Sequence, residues 1–410
     1  MKDSIYGLIS KDFHIEILEN LCVSGGIQTG PFGSQLHQRD YLSVGTPIIT
    51  VEHLGENRIL HQDLPCVSDK DKERLSRYMM QKGDIIFSRV GSVDRRALVR
   101  DEEDGWLFSG RCLRVRPDNS KVDAGYLSWF FGFDMFKDYI RRVAVGATMP
   151  SLNTELLSQV PVIIPPLPEQ RAIAAVLGAL DDKIELNRRK NCTLEAIAQA
   201  VFREMMKDEG GRMNGRETTI GEVVTVVGGT TPSTTNSAFW GGDICWATPK
   251  DLASLQSPIL LDTNSRITEL GLQEISSGIL PAGTVLLSSR APIGYVAITH
   301  IPVAINQGFI AIKCTDEVPN YFILNWLKDN MEEIIGRANG TTFLEISKSN
   351  FRTIPIFIPP VEKMKNFVEI VEPIYQKIVA NLKQSRKLAA LRDALLPKLM
   401  RGEVRVTVHE

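Results

Sequence analysis

The 410-residue chain lacks the short motifs that announce an enzyme. It has no Walker A lysine loop, no His-Glu-x-x-His and no Gly-x-Ser-x-Gly, which removes the usual phosphate cradle, zinc-peptidase helix and hydrolase elbow. No carboxylate cluster reads as a metal nuclease. The six cysteines, Cys22, Cys66, Cys112, Cys192, Cys245 and Cys314, include no Cys-x-x-Cys pair, and no His stands at metal-ligand spacing. That excludes a zinc site and a disulfide framework, and implies reduced thiols in the cytoplasm. Residues 1–10 carry no apolar core of signal length, and no apolar run reaches the length of a membrane span. Excess charge is absent too. The chain carries 47 Lys and Arg against 49 Asp and Glu, without the basic surplus common in nucleic-acid binders. The expectation is a soluble, non-catalytic cytoplasmic protein with no metal or cofactor of its own.

What the chain has is a repeat. Val160-Pro161-Val162-Ile163-Ile164-Pro165-Pro166 and then Pro168-Glu169-Gln170 lead into a long amphipathic segment ending near Met206. Ile354-Pro355-Ile356-Phe357-Ile358-Pro359-Pro360 and then Val361-Glu362-Lys363 lead into another, ending near Met400. Pro166 and Pro360 are 194 residues apart. A period near half the chain means two copies of a domain plus a helix, not a solenoid. The copies divide as a first lobe 1–160, a first helical spacer 161–212, a second lobe 213–354 and a second spacer 355–410.

The two helical segments match position by position. Ile173, Leu177, Leu180, Ile184, Asn187, Asn191, Leu194, Ala198, Val201 and Met205 alternate spacings of four and three. Their counterparts are Phe367, Val371, Ile374, Ile378, Asn381, Ser385, Leu388, Arg392, Leu395 and Leu399. This is a heptad seam, as expected of one helix lying along another. The alternative is a pair of core helices, each covering its own lobe. Polar residues interrupt both seams at the same places, Asn187 and Asn191 in one, Asn381 and Ser385 in the other. Such residues fix register, because slippage would bury an amide against hydrocarbon. Arg392 is the poor seam residue, and Leu391 is expected to pack in its place. Gly178 and Pro373 fall near the same point of each helix and predict a kink there. The rod from Asp181 to Met206 would then span roughly 38 Å, near the 34–36 Å of one turn of B-DNA.

The lobes read as mixed α/β. A strand over 84–89 follows Lys82-Gly83, and its counterpart over 284–290 follows Ala282-Gly283. Gly91 and Gly294 follow Arg89 and Arg290, and Val145-Gly146-Ala147-Thr148 matches Asn339-Gly340-Thr341-Thr342. Apolar helices precede them at 126–131 and 321–326. The offset is 200 at Gly83 and Gly283 but 194 at Gly146 and Gly340, so the lobe loops have changed length while the helices have not. Trp129, Trp246 and Trp326 read as core residues. Gly30-Pro31-Phe32-Gly33 and Gly228-Gly229-Thr230 read as turns. Arginines crowd one stretch of the first lobe, from Arg89 to Arg116, offset by Asp94 and the acidic run 101–104, which suits a solvated surface as well as a binding face.

Two stretches carry a resemblance. Val227-Gly228-Gly229-Thr230-Thr231-Pro232-Ser233-Thr234 with Phe239-Trp240-Gly241-Gly242-Asp243-Ile244-Cys245-Trp246-Ala247-Thr248-Pro249-Lys250-Asp251-Leu252 resembles the second target-recognition domain of type I restriction-modification specificity subunits. Gly30-Pro31-Phe32-Gly33-Ser34-Gln35-Leu36 is similar to a common opening of such domains, and Pro165-Pro166-Leu167-Pro168-Glu169-Gln170-Arg171 to the start of the family's helical region. Val361-Glu362-Lys363-Met364 departs from that pattern. The resemblance implies an α/β (α+β) fold with two similar target-recognition domains separated by two long helices in an antiparallel coiled coil, pseudo-two-fold symmetric. It also implies a subunit without enzymatic activity that reads an asymmetric, bipartite site on double-stranded DNA. Two methyltransferase subunits would dock on the helices, and restriction subunits would join them. S-adenosylmethionine, ATP and Mg would belong to those partners, not to this chain. On that reading the candidate DNA contacts are Arg89, Arg95 and Arg96 in the first lobe, and Lys250, Arg266 and Arg290 in the second. A non-catalytic scaffold for protein partners, or a specificity module serving a different enzyme, fits the same residues.

Overall fold

The computed structural model describes residues 1–33, 35–146, 148–207, 215–340 and 344–406. Ser34, Ala147, Thr341 and Thr342 of the motifs above, and the division between residues 212 and 213, lie outside them. The chain forms two units that do not follow it in order: Met1–Ile184 with Arg386–Glu410, and Glu185–Ser385. Each unit therefore combines one lobe with part of both long helices.

Both units are built from the same parts. In the first, His14–Ile17 pairs antiparallel with Pro161–Ile164. In the second, Arg216–Thr219 pairs the same way with Pro355–Ile358. Each ribbon opens one strand on proline, a strand-first position where the missing N–H costs no ladder bond. The first lobe then has a four-stranded antiparallel sheet in the order Gln28–Thr29, Cys112–Val115, Ile85–Ser88, Arg96–Leu98. The second repeats it as Thr225–Val227, Phe309–Lys313, Val285–Ser289, Ile293–Thr299, and adds Ile259–Leu260 in parallel at the edge. A smaller three-stranded sheet also occurs twice: Cys66–Val67, Thr46–Ile49, Leu107–Phe108, and Ser265–Ile267, Trp240–Ala247, Ala304–Ile305.

The strands are central because their residues are apolar on both faces: Ile85, Ile86 and Phe87 are fully buried, as are Val285, Leu286 and Leu287. Gly83 and Gly283 begin these strands at φ +92° each, a conformation that favours glycine. The helices Ala124–Phe130 and Asn320–Asp329 cover one face, and Trp129, Trp246 and Trp326 are all buried.

The long helices are Leu167–Met205 and Val361–Arg401, of 39 and 41 residues. Neither is interrupted at Gly178 or Pro373, which corrects the expected division into a short helix and a shorter rod. At about 1.5 Å per residue the first spans roughly 58 Å. Pro373 stands on the exposed side of its helix, as does Glu369, whose carbonyl, left without an N–H partner, is open to solvent. Val371 and Tyr375 on either side are buried, and that packing holds the helix through the proline.

Within each unit the two helices run antiparallel along each other. In the second, Asn187 Nδ2 lies 3.0 Å from Gln384 Oε1, 3.2 Å from Ser385 Oγ and 3.4 Å from the Asn381 carbonyl. Asn381 Nδ2 donates to Asn191 Oδ1 at 2.8 Å, and fifteen residues after Asn187 the Phe202 ring lies 6.0 Å from Phe367. In the first unit, Ile173 and Leu177 share a core with Leu395, Leu396 and Leu399. The two alternatives for the seam are therefore both realised, since these positions cover a lobe and pair with the other helix at once. Leu391 does not replace Arg392. Leu391 is exposed, and Arg392 occupies the seam, its guanidinium 3.0 Å from Asp181 and over the Trp129 ring.

Candidate nucleic-acid interface

In each lobe four loops converge at one end of the large sheet. The opposite end is anchored to the long helices. In the first lobe, the Gly83 turn abuts Ala124, the cap residue Asp123 donates its N–H to Gln170 Oε1 at 2.9 Å, and the Tyr126 hydroxyl donates to the Ile163 carbonyl. In the second, Asn320 Nδ2 donates to the Gly283 carbonyl and Tyr321 stacks on Tyr375 of the second long helix, centroids 4.8 Å apart. A four-residue strand at about 3.3 Å per residue carries the chain some 13 Å from that anchored end.

Around Arg89 the four loops are 30–33, 88–92, 109–111 and, of the last, the described residues 145–146 and 148–151. The Arg89 N–H donates to the Arg111 carbonyl at 2.8 Å, Leu152 N–H to the Arg89 carbonyl at 2.8 Å, and Gly91 N–H to the Pro150 carbonyl at 2.9 Å. Arg89 Nη1 donates to the Gly110 carbonyl, and its guanidinium lies 4.8 Å above the half-exposed Phe32 ring. Gly30 closes the cluster, since a Cβ there would collide with the Ser109 carbonyl. In the second lobe the loops are 229–232, 289–294, 306–308 and, of the last, the described residues 339–340 and 344–345. Ser289 N–H donates to the Gly308 carbonyl at 2.8 Å, and Ile346 N–H to the Ser289 carbonyl at 3.1 Å. A Cβ at Gly229 would strike the Ile305 carbonyl.

These bonds set the correspondence between lobes. Arg89 takes the backbone place of Ser289, while Arg290, bridged to Glu345, takes that of Val90, bridged to Ser151. The two arginines are therefore one residue out of step. A one-residue shift in extended chain turns a side chain to the other face. Arg89 stacks within its loop cluster, whereas Arg290 reaches Glu345 at 3.5 Å.

The remaining candidates separate by burial and partner. Arg96 is 1% exposed. It donates from Nε to the Ser128 carbonyl at 3.1 Å and from Nη1 to Glu56 at 2.8 Å, and a Cβ at Gly132 would strike its guanidinium. Arg96 is a buried clamp between strand and helix, which corrects its assignment as a DNA contact. Arg95 is tied to the Leu54 carbonyl. Arg266 pairs with Asp262 at 2.9 Å and donates to the Asp243 carbonyl at 3.1 Å. Lys250 is exposed on the short helix Pro249–Ala253, which Thr248 and Asp251 cap reciprocally; among the described residues it has no acceptor. The first lobe repeats this cap with Thr50 and His53.

Sequence reading places Arg111 in the first lobe's arginine cluster without choosing it as a contact, and passes over Gln307; both are exposed in the loop clusters. It also missed that His61, Glu102 and Glu103 come together, their ligand atoms within 4.8 Å of one another. Glu103 is committed to His61 at 2.6 Å and to the Arg100 N–H at 2.7 Å.

No helix among the described residues is long and apolar enough to cross a membrane. The type I restriction-modification DNA specificity domain model matches residues 33–196 and 216–388, one copy for each lobe with most of its long helix. The chain is 25% identical over 434 residues to the type I restriction enzyme MjaIX specificity subunit of Methanocaldococcus jannaschii, covering 99% of this chain and 96% of that protein. It is 24% identical to the HindI specificity subunit of Haemophilus influenzae, covering 85% and 92%. Among solved structures, the S subunit of the type I restriction-modification system from M. genitalium superposes with a TM-score of 0.59 at 15% identity, over 95% of this chain and 96% of that one, a likeness of fold. With two matched domains spanning most of its length, the chain belongs to the type I restriction-modification specificity family.

Proposed function

We propose that the chain reads an asymmetric, bipartite site on double-stranded DNA for a type I restriction-modification complex in the cytoplasm, each lobe reading one half and performing no catalysis. Two methyltransferase subunits and the restriction subunits would bring the chemistry, together with S-adenosylmethionine, ATP and Mg. The observation that carries this reading is the duplication itself. The same sheets, caps and four-loop cluster occur twice on scaffolds of matched topology, with different side chains at the loops. A near-neutral chain suits DNA if partners contribute much of the phosphate neutralisation.

Docking of two like partners is supported by exposed apolar residues that recur with the duplication. Val176 and Leu391 are 36% and 49% exposed in the first unit; their counterparts Ile370 and Ile197 are 52% and 45% exposed in the second. Four apolar side chains left in solvent at repeated positions suit two equivalent contacts. Gel-shift titration of the purified chain, alone and with its methyltransferase, tests the reading. Sequence-selective binding by the assembled complex is expected. Equal affinity for every duplex, or no binding, would leave a protein scaffold as the better account.

A further inference from the structure

We propose that the three-residue turn entering the central strand distinguishes the bases in each lobe, through Arg111 in the first and Gln307 in the second. This rests on the DNA-recognition reading above and deepens it to side chains and bases. Ser109-Gly110-Arg111 joins Leu107–Phe108 to Cys112–Val115, and Asn306-Gln307-Gly308 joins Ala304–Ile305 to Phe309–Lys313. Ile49 pairs with Phe108 and Ser88 with Cys112 on either side of the first turn. Ala247 with Ile305 and Ser288 with Phe309 do the same around the second. The turns are therefore equivalent and equal in length. Each holds one glycine and one long, exposed polar side chain, in exchanged positions.

The backbone of each turn is fixed and its long side chain is not used up. The Arg111 carbonyl accepts the Arg89 N–H, while among the described residues the Arg111 guanidinium has no hydrogen-bond or ion-pair partner. Arg89, Arg95, Arg96, Arg266 and Arg290 are all engaged within the protein. In the second turn Asn306 Oδ1 accepts the Gly308 N–H at 2.9 Å, and the Thr231 hydroxyl donates to Gln307 Oε1. With the hydroxyl donating, the amide oxygen keeps a second lone pair and the amide nitrogen keeps its donors. A guanidinium on a fixed turn matches O6 and N7 of guanine, and an oriented glutamine amide matches N6 and N7 of adenine. The first half-site would then hold a guanine read by Arg111, the second an adenine read by Gln307.

The test is selection from a fully randomised duplex pool by the chain assembled with its methyltransferase. The wild-type complex must first select a two-part motif; if it selects none, the function proposed above fails, and this inference with it. Given a motif, Arg111→Ala is expected to abolish discrimination at one guanine of one half only, with about 5- to 150-fold weaker binding to the wild-type site. Gln307→Ala should do the same at one adenine of the other half, and Thr231→Val, an exposed change that leaves folding intact, should blur that adenine. Arg111→Lys keeps the charge but not the fork and should not restore guanine selection. An unchanged motif in these variants, or weakening that is uniform across all sequences, overturns the proposal.

Discussion

The two units share a backbone plan but join their parts with opposite chemistry. In the first, Asp181 of the first long helix is nearly buried and meets Arg58 at 2.7 Å, Arg392 at 3.0 Å and Arg100 at 3.6 Å. Its counterpart 194 residues on is Tyr375, which stacks on Tyr321 and bonds Asn325 at 3.2 Å. Arg392 corresponds to the buried Ala198. The pattern recurs in the sheets. Arg96 stands opposite Phe87 where Val296 stands opposite Leu287, and Asp84, bound twice by Arg116 at 2.7 Å, corresponds to Thr284, bonded to the Pro281 carbonyl. Burying charge is costly and is offset only by close pairing. Both solutions hold the same fold, so what the plan demands is a filled contact rather than any particular residue.

Several variants would break or sharpen this contrast. Asp181→Ala should have the largest effect, about 3–5 kcal/mol of stability, because it removes the one buried carboxylate that three arginines share and leaves Arg58 and Arg100 only the exposed Asp182, and Arg392 only the exposed Asp393; urea unfolding measures it, and a loss below 1 kcal/mol would show the cluster to be dispensable. Arg96→Met keeps the stem but loses bonds to Ser128 and Glu56, and should cost about 1.5–3 kcal/mol while leaving the selected DNA motif unchanged. A changed motif would return Arg96 to the list of DNA contacts. In the second unit, Asn191→Leu should cost about 1–3 kcal/mol by orphaning the Asn381 amide, and Asn381→Leu added to it should recover much of that loss. Strict additivity would mean the seam amides do not interact. Tyr375→Phe should be mildest, about 1 kcal/mol, since the ring stack survives and only the Asn325 bond goes.

The helices were the most legible part of the sequence. Their seam must suit a lobe and another helix together, so its residues and its Asn interruptions are held at fixed spacing. Asn187, Asn191, Asn381 and Ser385 accordingly meet. The helix break expected at Pro373 is absent because a local rule yields to the packing of Val371 and Tyr375. In the lobes, the strands were readable from Gly83 and Gly283, but the one-residue offset between Arg89 and Arg290 was not. Neighbouring residues in extended chain look alike in sequence, and only the ladder bonds of Leu152 and Ile346 show the shift. Arg96 was misassigned because arginine is ordinarily exposed, and its burial depends on Glu56, Ser128 and Gly132, distant in the chain. Arg111 and Gln307 could have been found by aligning the turns, where a glycine and a long polar residue trade places.

Mapping methylated sites in a host that carries this chain with its methyltransferase tests the central claim most directly. Two different lobes on one duplicated scaffold predict a motif of two unlike half-sites separated by a fixed, unread gap. A single uninterrupted motif, or one that is self-complementary, would contradict the account.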